Sequence, residues 1–220
     1  MGEIALNPRG AQVYDLLFPV VTREWAWRPR LISQLVAGLP VTTTAPSEAA
    51  SSPVILDVGA GTGTQALAIA AAAPHARVVA VEPGTSVHAA HLKPNPHGVV
   101  WVRADAAALP FADGSADRIV ISLALHHMSG EVRRSALREF RRVLAPDGRL
   151  HVVEFGRPTD PFMRVMSAVG RRLDDYDGMR DPYAGRIPAL LHAAGFHVRP
   201  GRRRRTPGGV IEVTEAWPRE

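Results

Sequence analysis

Three glycines and an aspartate form the stretch of the sequence best suited to hold a ligand. Gly59, Gly61 and Gly63 alternate after the apolar residues 54–56 and Asp57. A helical pattern begins beyond the last glycine, so a strand, a glycine turn and a helix N-terminus are predicted in succession. Such a turn directs free backbone N–H groups and the positive end of the helix dipole at a ligand.

Two kinds of nucleotide-type ligand fit this turn. The spacing Gly61-x-Gly63-x-x-Ala66 satisfies the dinucleotide fingerprint, so the glycines alone do not decide between them. The carboxylate of Asp57 would repel a pyrophosphate but suits a ligand that carries an ammonium or sulfonium group. The pattern Asp57-x-Gly59-x-Gly61-x-Gly63 resembles motif I of the class I S-adenosylmethionine (SAM) methyltransferases.

A second carboxylate follows the next predicted strand. Glu82 follows the predicted strand at residues 77–81, about twenty residues beyond the glycine turn, where this topology places an acid against ribose hydroxyls. Its two oxygens can accept the protons of both hydroxyls. Carboxylates at strand ends are common, but the glycine turn upstream favours the ligand-binding interpretation.

A third carboxylate belongs to a second recognisable pattern. Asp105 follows the predicted strand at residues 99–103 and precedes Leu-Pro-Phe at residues 109–111 and the buried strand at residues 118–122. This order resembles the second signature of the SAM methyltransferases. The resemblance implies that the Asp105 carboxylate contacts the adenine amino group and that the Ala106 backbone N–H lies beside a ring nitrogen.

Two adjacent histidines, His126 and His127, follow the strand at residues 118–122, where an open α/β sheet has its active-site mouth. The pair resembles the ubiquinone/menaquinone-type methyltransferases and their relatives. Imidazole titrates near neutral pH, so either ring could deprotonate a nucleophile; alternatively, both orient the loop or line the pocket. We expect no metal, because nothing nearby completes a coordination set.

Composition places the chain among ordinary globular proteins and excludes several kinds of site. Its 220 residues suit one α/β domain, and the absence of cysteine excludes disulfides, thiolate metal sites and a cysteine nucleophile. The formal net charge of +5 comes almost entirely from arginine, which a GC-rich genome or attraction to phosphates would explain. Neither a secretory signal nor a run of membrane-spanning length is evident, so we expect a cytoplasmic location.

The chain is predicted to form a single domain, in which four consecutive parts can be distinguished. Amphipathic helices are expected before the connector at residues 40–53, where they cover the sheet or form a lid from which Tyr14, Arg23 or Arg28 reaches the ligand. A helix is also expected at residues 130–144, with its arginines on a solvated face. The predicted parts are a helical cap (1–45), a SAM-binding core (54–154), an insertion (155–186), and a closing helix and hairpin (187–217). The insertion either closes over the substrate or is an ordinary surface helix pair.

The last strands distinguish this sheet from a dinucleotide-binding one. Residues 196–203 and 210–217 alternate as strands around a Thr-Pro-Gly-Gly turn. The resemblance therefore implies a Rossmann-like α/β fold with a seven-stranded, mostly parallel sheet, helices on both faces and a C-terminal antiparallel hairpin. The arginines at residues 202–205 could bind phosphate or form a solvated strand end.

The family resemblance implies transfer of the SAM methyl group to a small-molecule acceptor by in-line displacement, leaving S-adenosylhomocysteine. Transfer to oxygen, nitrogen or carbon and the oligomeric state stay open. The alternatives are an NAD(P)-dependent dehydrogenase, a nucleic-acid methyltransferase, although the amino-group DNA enzyme signature is absent, and a non-catalytic SAM-binding module. The predicted cofactor contacts are Asp57, Gly59, Ala60, Gly61, Gly63, Glu82, Pro83, Asp105, Ala106, Leu123 and Tyr14, with His126 and His127 as catalytic candidates.

Overall fold

One mixed sheet and the helices around it make up the computed structural model, which describes residues 8–39, 52–84, 93–161, 163–165 and 177–219. Side chains are described from Asp15 onward in the first of these ranges and from Gly178 onward in the last. The strands are β1 (Val54–Val58), β2 (Arg77–Val81), β3 (Val100–Val102), β4 (Ala116–Ser122), β5 (Leu144–Phe155), β6 (Phe196–Arg199), β7 (Arg203–Thr206) and β8 (Gly209–Pro218). The helices are α1 (Pro8–Thr22), α2 (Glu24–Val36), α3 (Thr64–Ala72), α4 (Gly130–Val143), α5 (Arg180–Tyr183) and α6 (Ile187–Ala193).

The strand order is β3-β2-β1-β4-β5-β8-β6, and β7 pairs with the other half of β8. Strands β1 to β5 run parallel to one another, whereas β8 is antiparallel to β5, β6 and β7. The chain moves outward from β1 to β3 and then returns to place β4 on the other side of β1. This reversal is a topological switch point, where open α/β sheets bind ligands at the carboxyl ends of their strands. The predicted Rossmann-like fold is confirmed.

The edge strand differs from the prediction, because residues 196–203 do not form one continuous strand. β6 ends at Arg199 and pairs with one half of β8, and β7 begins at Arg203 and pairs with the other half. Pro200 has no N–H to offer the ladder. A Cβ on Gly201 would lie 0.9 Å from the Val213 carbonyl oxygen, so only glycine allows this close approach. The interruption is therefore a local bulge in one edge of a seven-stranded path.

Each face of the sheet has its own apolar core. On one face, Leu137 and Phe140 of α4 pack against alternate residues of the central strands. On the other face, Trp27 and Leu31 of α2 pack beside Ile69 of α3. The N-terminal helices thus cover the sheet next to the glycine turn. In the described ranges, no helix combines the length and apolarity needed to cross a bilayer.

Two predicted segments extend beyond the described residues. The structure describes only the last two positions of the predicted connector at residues 40–53. Of the predicted insertion at residues 155–186, it describes residues 155–161, 163–165 and 177–186. Residues 145–148 fall within β5, where the pairing with β4 shifts register between Ala116 and Arg118.

Candidate active site

The glycine turn is fixed against the ends of two neighbouring strands. The backbone N–H groups of Gly59 and Ala60 donate to the Val81 carbonyl at 2.8 and 3.1 Å, which ties the turn to the end of β2. Gly59 has a φ of 70°, and a Cβ there would lie 2.6 Å from the Ala124 Cβ. Glycine is therefore required at this position by both conformation and space.

Asp57 is a buried carboxylate with one unsatisfied oxygen. Its Oδ1 accepts from Gln65 Nε2 at 2.9 Å, and Gln65 Oε1 accepts in turn from Ser122 Oγ at 2.9 Å. Its Oδ2 is buried and has no hydrogen-bond partner in the described part of the chain. Burial raises the pKa of Asp57 to about 7, against the smaller opposing effect of the Gln65 hydrogen bond. An unpartnered buried carboxylate oxygen suits a cationic group of a ligand.

Glu82 and Asp105 hold the two loops beyond the glycine turn. Glu82 Oε2 accepts from the Gly61 N–H at 2.9 Å, and its Oε1 accepts from the Gly84 N–H at 3.2 Å. Asp105 Oδ1 accepts from the Ala107 N–H at 2.8 Å. Both carboxylates keep lone pairs for a ligand, because each oxygen can accept more than one hydrogen bond.

These groups line one cavity of about 470 Å³, a volume typical of small-molecule sites. Two predicted residues do not line this cavity. Gly63 directly precedes α3, and His126 is buried. The Tyr14 side chain falls outside the described residues. The predicted residues that the structure brings together around the cavity are Asp57, Gly59, Ala60, Gly61, Glu82, Pro83, Asp105, Ala106, Leu123 and His127.

His126 is held by a buried glutamate at the end of β5. Its Nδ1 lies 2.8 Å from Glu154 Oε1, and its backbone N–H donates to Glu154 Oε2 at 3.1 Å. The Phe155 N–H also donates to Glu154, at 2.7 Å. Burial by itself would raise the pKa of Glu154, but attraction to His126 and these hydrogen bonds outweigh it and hold the pKa below its usual value. His126 therefore has a fixed orientation.

His127 occupies a different environment from its neighbour. Its ring centroid is 4.0 Å from that of His126, and it lines the cavity. Burial, and secondarily the electrostatic effect of the neighbouring His126 ring, lower the pKa of His127 to about 4. The His127 imidazole is therefore neutral at neutral pH and is a weak proton acceptor. The sequence offered both histidines as equal candidates, whereas the structure separates them into a buried, paired ring and a neutral ring that faces the cavity.

The N-terminal helices form the remaining wall of the cavity. Asp15 accepts a hydrogen bond from Thr62 and pairs with Lys93 Nζ at 2.6 Å, which fastens α1 to the glycine turn. Arg28 lines the cavity and forms an ion pair with Glu24, whereas Arg23 is exposed at the junction of the helices. Apolar side chains complete the wall, namely Phe18, Pro19, Trp27, Leu123, Met128 and Val132.

Arg133 corrects the prediction that the arginines of α4 face solvent. Its side chain is 1% exposed, and its guanidinium donates to the Leu125 and Met128 carbonyls, both at 3.0 Å. It also donates to the Gly178 carbonyl at 2.7 Å and forms an ion pair with Asp181. Burial of this arginine is tolerated because its N–H groups bond carbonyls of the turn before α4 and of Gly178. It joins the turn at Leu125–His127, which we call the histidine turn, to the segment that precedes α5.

Several functional residues were missed by sequence reasoning. Gln65, Glu154 and Arg133 each bond a residue far away in sequence, so local patterns did not reveal them; these partners are Ser122, His126 and Gly178. Two signals were available. Lys93 is the only lysine of an arginine-rich chain, and Glu154 ends a predicted strand at the same sheet edge as Glu82. Within the described ranges, no three His, Cys, Asp or Glu side chains are grouped so that they could hold a metal ion.

The donors and acceptors around the cavity suit SAM. The unpartnered Oδ2 of Asp57 offers a negative charge to an ammonium group, and a carboxylate in this position opposes a pyrophosphate. The glycine turn, Glu82 and Asp105 supply polar contacts along the same cavity. The residues present therefore fit the cofactor that the sequence predicted better than they fit a dinucleotide.

Comparisons with known proteins agree with this chemistry. The family described as "Methyltransferase domain" matches residues 56–152. The Ubiquinone/menaquinone biosynthesis C-methyltransferase UbiE of Syntrophotalea carbinolica is 33% identical over 180 residues, which cover 72% of this chain and 74% of that protein. The Demethylmenaquinone methyltransferase of Thermus thermophilus is 34% identical over 209 residues, which cover 84% of this chain and 89% of that protein.

A solved structure agrees at the level of the fold. The magnesium protoporphyrin IX methyltransferase (ChlM) from Synechocystis PCC 6803, with bound S-adenosylhomocysteine (SAH), matches with a TM-score of 0.64 and 20% identity. The match covers 89% of this chain and 83% of that one. The dehydrogenase, nucleic-acid and non-catalytic alternatives are not favoured by these relatives. The chain belongs to the class I SAM-dependent methyltransferases of the ubiquinone/menaquinone-biosynthesis type, and is an enzyme that methylates a small-molecule acceptor.

Proposed function

We propose that the acceptor is the reduced ring of a lipid-tailed quinone, and that methyl is transferred to a ring carbon. The observation that carries this proposal is the composition of the cavity wall. Phe18, Trp27 and Val132 line the same cavity as the glycine turn, so an apolar ring can lie beside the cofactor-binding groups. Support also comes from the relatives, whose names specify C-methylation in ubiquinone and menaquinone biosynthesis and methylation of demethylmenaquinone.

The proposed cofactor contacts follow from the geometry around the glycine turn. Asp57 Oδ2 would accept from the ammonium group of the methionine portion, and Glu82 would accept from the ribose hydroxyls. Asp105 and the Ala106 N–H would bind the adenine edge. Gly59, Ala60 and Gly61 would lie along the methionine portion, with Pro83 and Leu123 packing nearby. When bound, SAM supplies a methyl group on a positively charged sulfur and needs no further activation.

The remaining residues would position the acceptor rather than activate the cofactor. Alignment of nucleophile and methyl group in one line can supply most of the rate enhancement. The ring carbon would take the methyl group as its bond to sulfur breaks and SAH leaves, and the ring would then release the proton of that carbon to solvent. A quinol hydroxyl makes the neighbouring ring carbon electron-rich, and neutral His127 can accept a hydrogen bond from that hydroxyl. His126, fixed by Glu154, would support the His127 ring from behind.

The experiment is a transfer assay with SAM labelled with ¹³C in its methyl group. A short-chain demethylmenaquinol, the same compound in its oxidised form and a catechol are offered separately, and NMR locates the label. We expect label on the ring carbon of the quinol and none on the oxidised quinone, because the oxidised ring is a poor nucleophile. Label on an oxygen, or failure to label the quinol while SAM binds, would refute the proposed acceptor.

A further inference from the structure

Helix α1 is apolar on the side that faces away from the cavity as well as on the side that faces it. Asp15, Phe18 and Pro19 line the cavity. The positions between and beyond them carry large apolar side chains that are open to solvent, and Leu16 and Leu17 are 70% and 56% exposed. A surface helix ordinarily has polar residues on its outer side, so this pattern is typical of a helix that contacts another apolar phase.

The exposed apolar surface continues into the first turn of α2. Val20 and Val21 are exposed on the last turns of α1, and Trp25 is 61% exposed just beyond the junction. We call this set the outer apolar face, consisting of Leu16, Leu17, Val20, Val21 and Trp25. A tryptophan beside aliphatic residues is typical of segments that lie in the interfacial layer of a membrane.

Four arginines that form no salt bridge with a described carboxylate extend from this face along α2 and the hairpin edge. Arg23 is exposed at the junction between α1 and α2. The β7–β8 hairpin meets the end of α1, because the Gly208 N–H donates to the Val21 carbonyl at 2.9 Å. Farther along this edge, Arg202 and Arg204 line a second cavity, of about 570 Å³, with Arg30 of α2 and with Glu215, which pairs with Arg149 and Arg199. The salt bridges within the described ranges include none of these four arginines.

The acidic residues of the two helices point the other way. Asp15 and Glu24 are the only acids of α1 and α2, and they pair with Lys93 and Arg28. The outer apolar face is therefore accompanied by positive charge alone among the described side chains of these helices. In a symmetric dimer through this face, Arg23 of each copy would lie near that of the other, while Asp15 and Glu24 would each stay paired within their own copy. An anionic lipid surface supplies the missing negative charge.

We propose that the outer apolar face and the arginines beside it dock the enzyme on the surface of an anionic phospholipid bilayer. The inference rests on the proposed function, because a lipid-tailed acceptor is dissolved in a bilayer. Helix α1 then has two roles: one side forms part of the cavity wall and the other contacts lipid. Docking by this helix places the cavity beside the phase that holds the acceptor.

The test is flotation of the full-length enzyme with vesicles of phosphatidylcholine alone or mixed with phosphatidylglycerol. We expect strong binding to the anionic vesicles, weaker binding to the neutral ones, and partial release by salt. The double variant Leu16→Gln/Leu17→Gln should bind the anionic vesicles at least about tenfold more weakly than the wild type. Arg23→Gln and Arg202→Gln should each weaken binding to anionic vesicles by about fivefold.

Val100→Gln is the matched control, since Val100 is an exposed apolar residue on β3, the edge strand farthest from the hairpin. It should bind vesicles like the wild type. Unchanged SAM affinity by calorimetry would show that each variant is folded. Absence of vesicle binding by the wild type, equal losses for Val100→Gln, or a concentration-dependent dimer that Leu16→Gln/Leu17→Gln abolishes would overturn the inference.

Failure of docking and failure of the proposed function are distinguishable. Transfer to a short-chain quinol in solution needs no vesicle, so labelling of that quinol without vesicle binding would refute docking alone. Vesicle binding without any labelling of the quinol would refute the acceptor alone.

Discussion

Asp57 links ligand binding to protonation. Its pKa of about 7 in the ligand-free protein means that a proton is bound over much of the weakly acidic range. In the proposed site only the ionised carboxylate would pair with the ammonium group of SAM, so binding would release that proton. We predict that SAM affinity falls as the pH decreases from about 8 to about 6, as measured by calorimetry in buffers of different ionisation enthalpy. Asp57→Asn should bind more weakly and lose this pH dependence; a pH-independent wild type would contradict the assignment.

The same carboxylate should destabilise the ligand-free enzyme at alkaline pH. The folded-state pKa of Asp57 lies above its unfolded value, so the folded state binds the proton more tightly. Stability is therefore greatest below the unfolded pKa and declines as the pH rises toward about 7. We predict that Asp57→Asn raises the free energy of unfolding at about pH 8 by on the order of 1–3 kcal/mol, because it removes a buried charge. Urea titration would measure this gain, and a loss of stability would be the opposite of our expectation.

Asp105 allows a test of cofactor binding that leaves the fold intact. Among the described residues its carboxylate makes one hydrogen bond, to the Ala107 N–H, so we expect its removal to disturb little else. We predict that Asp105→Ala weakens SAM binding by about tenfold or more, since a hydrogen bond to a charged group is lost. The control is Asp147→Ala, an exposed aspartate away from the cavity. Equal affinity of the two variants by calorimetry would remove Asp105 from the site.

Individual site residues could be predicted from the sequence where the chain itself orders them. The glycine turn, Glu82 and Asp105 each follow a strand, and parallel strands bring their carboxyl ends to one edge of the sheet. The partner of His126 could not be found in this way, because Glu154 meets it only after β4 and β5 have paired. The different environments of His126 and His127 depend on burial, which sequence neighbours do not reveal.

At the scale of elements, Arg133 connects α4, the histidine turn and the segment before α5. Its guanidinium satisfies three carbonyls and the carboxylate of Asp181. We predict that Arg133→Met lowers the free energy of unfolding by about 3 kcal/mol or more, because it leaves those acceptors without a donor. Methyl transfer should slow while SAM affinity changes little, because Arg133 holds the carbonyl of Met128, which lines the part of the cavity proposed for the acceptor.

The neighbouring arginine provides the control for this prediction. Arg134 is exposed on the same helix, so Arg134→Met removes a charge of the same kind without opening a buried site. Chemical denaturation and single-turnover rates should separate the two variants. Similar behaviour of both would show that the buried network has no special role.

The strands and long helices were largely predictable from the sequence because their apolar periodicity is local. β2 and the start of α3 fall where the pattern places them. The edge strand was not, since its interruption depends on the contact between Gly201 and the Val213 carbonyl across the sheet. The solvated face predicted for α4 was wrong at Arg133 for a similar reason: its carbonyl partners belong to other elements.

At the scale of the whole molecule, the sheet at its topological switch point and the N-terminal helices form different sides of the cavity. The sheet supplies the glycine turn and the acidic strand ends at one side of the cavity. Helices α1 and α2 close the other side with apolar residues, and the contacts of Asp15 with Thr62 and Lys93 hold α1 against the glycine turn. The polar groups proposed to bind the cofactor and the apolar side chains proposed to contact the acceptor therefore line one cavity.

The most direct test of this account is single-turnover transfer from SAM that carries a deuterated methyl group to a short-chain demethylmenaquinol, followed by mass spectrometry. The wild-type enzyme should place one labelled methyl group on the quinol. Asp57→Asn and Asp105→Ala should fail to do so at a SAM concentration that suffices for the wild type, and Asp105→Ala should regain transfer when SAM is raised. A wild-type enzyme that binds SAM and leaves the quinol unlabelled, or variants that transfer as well as the wild type, would contradict it.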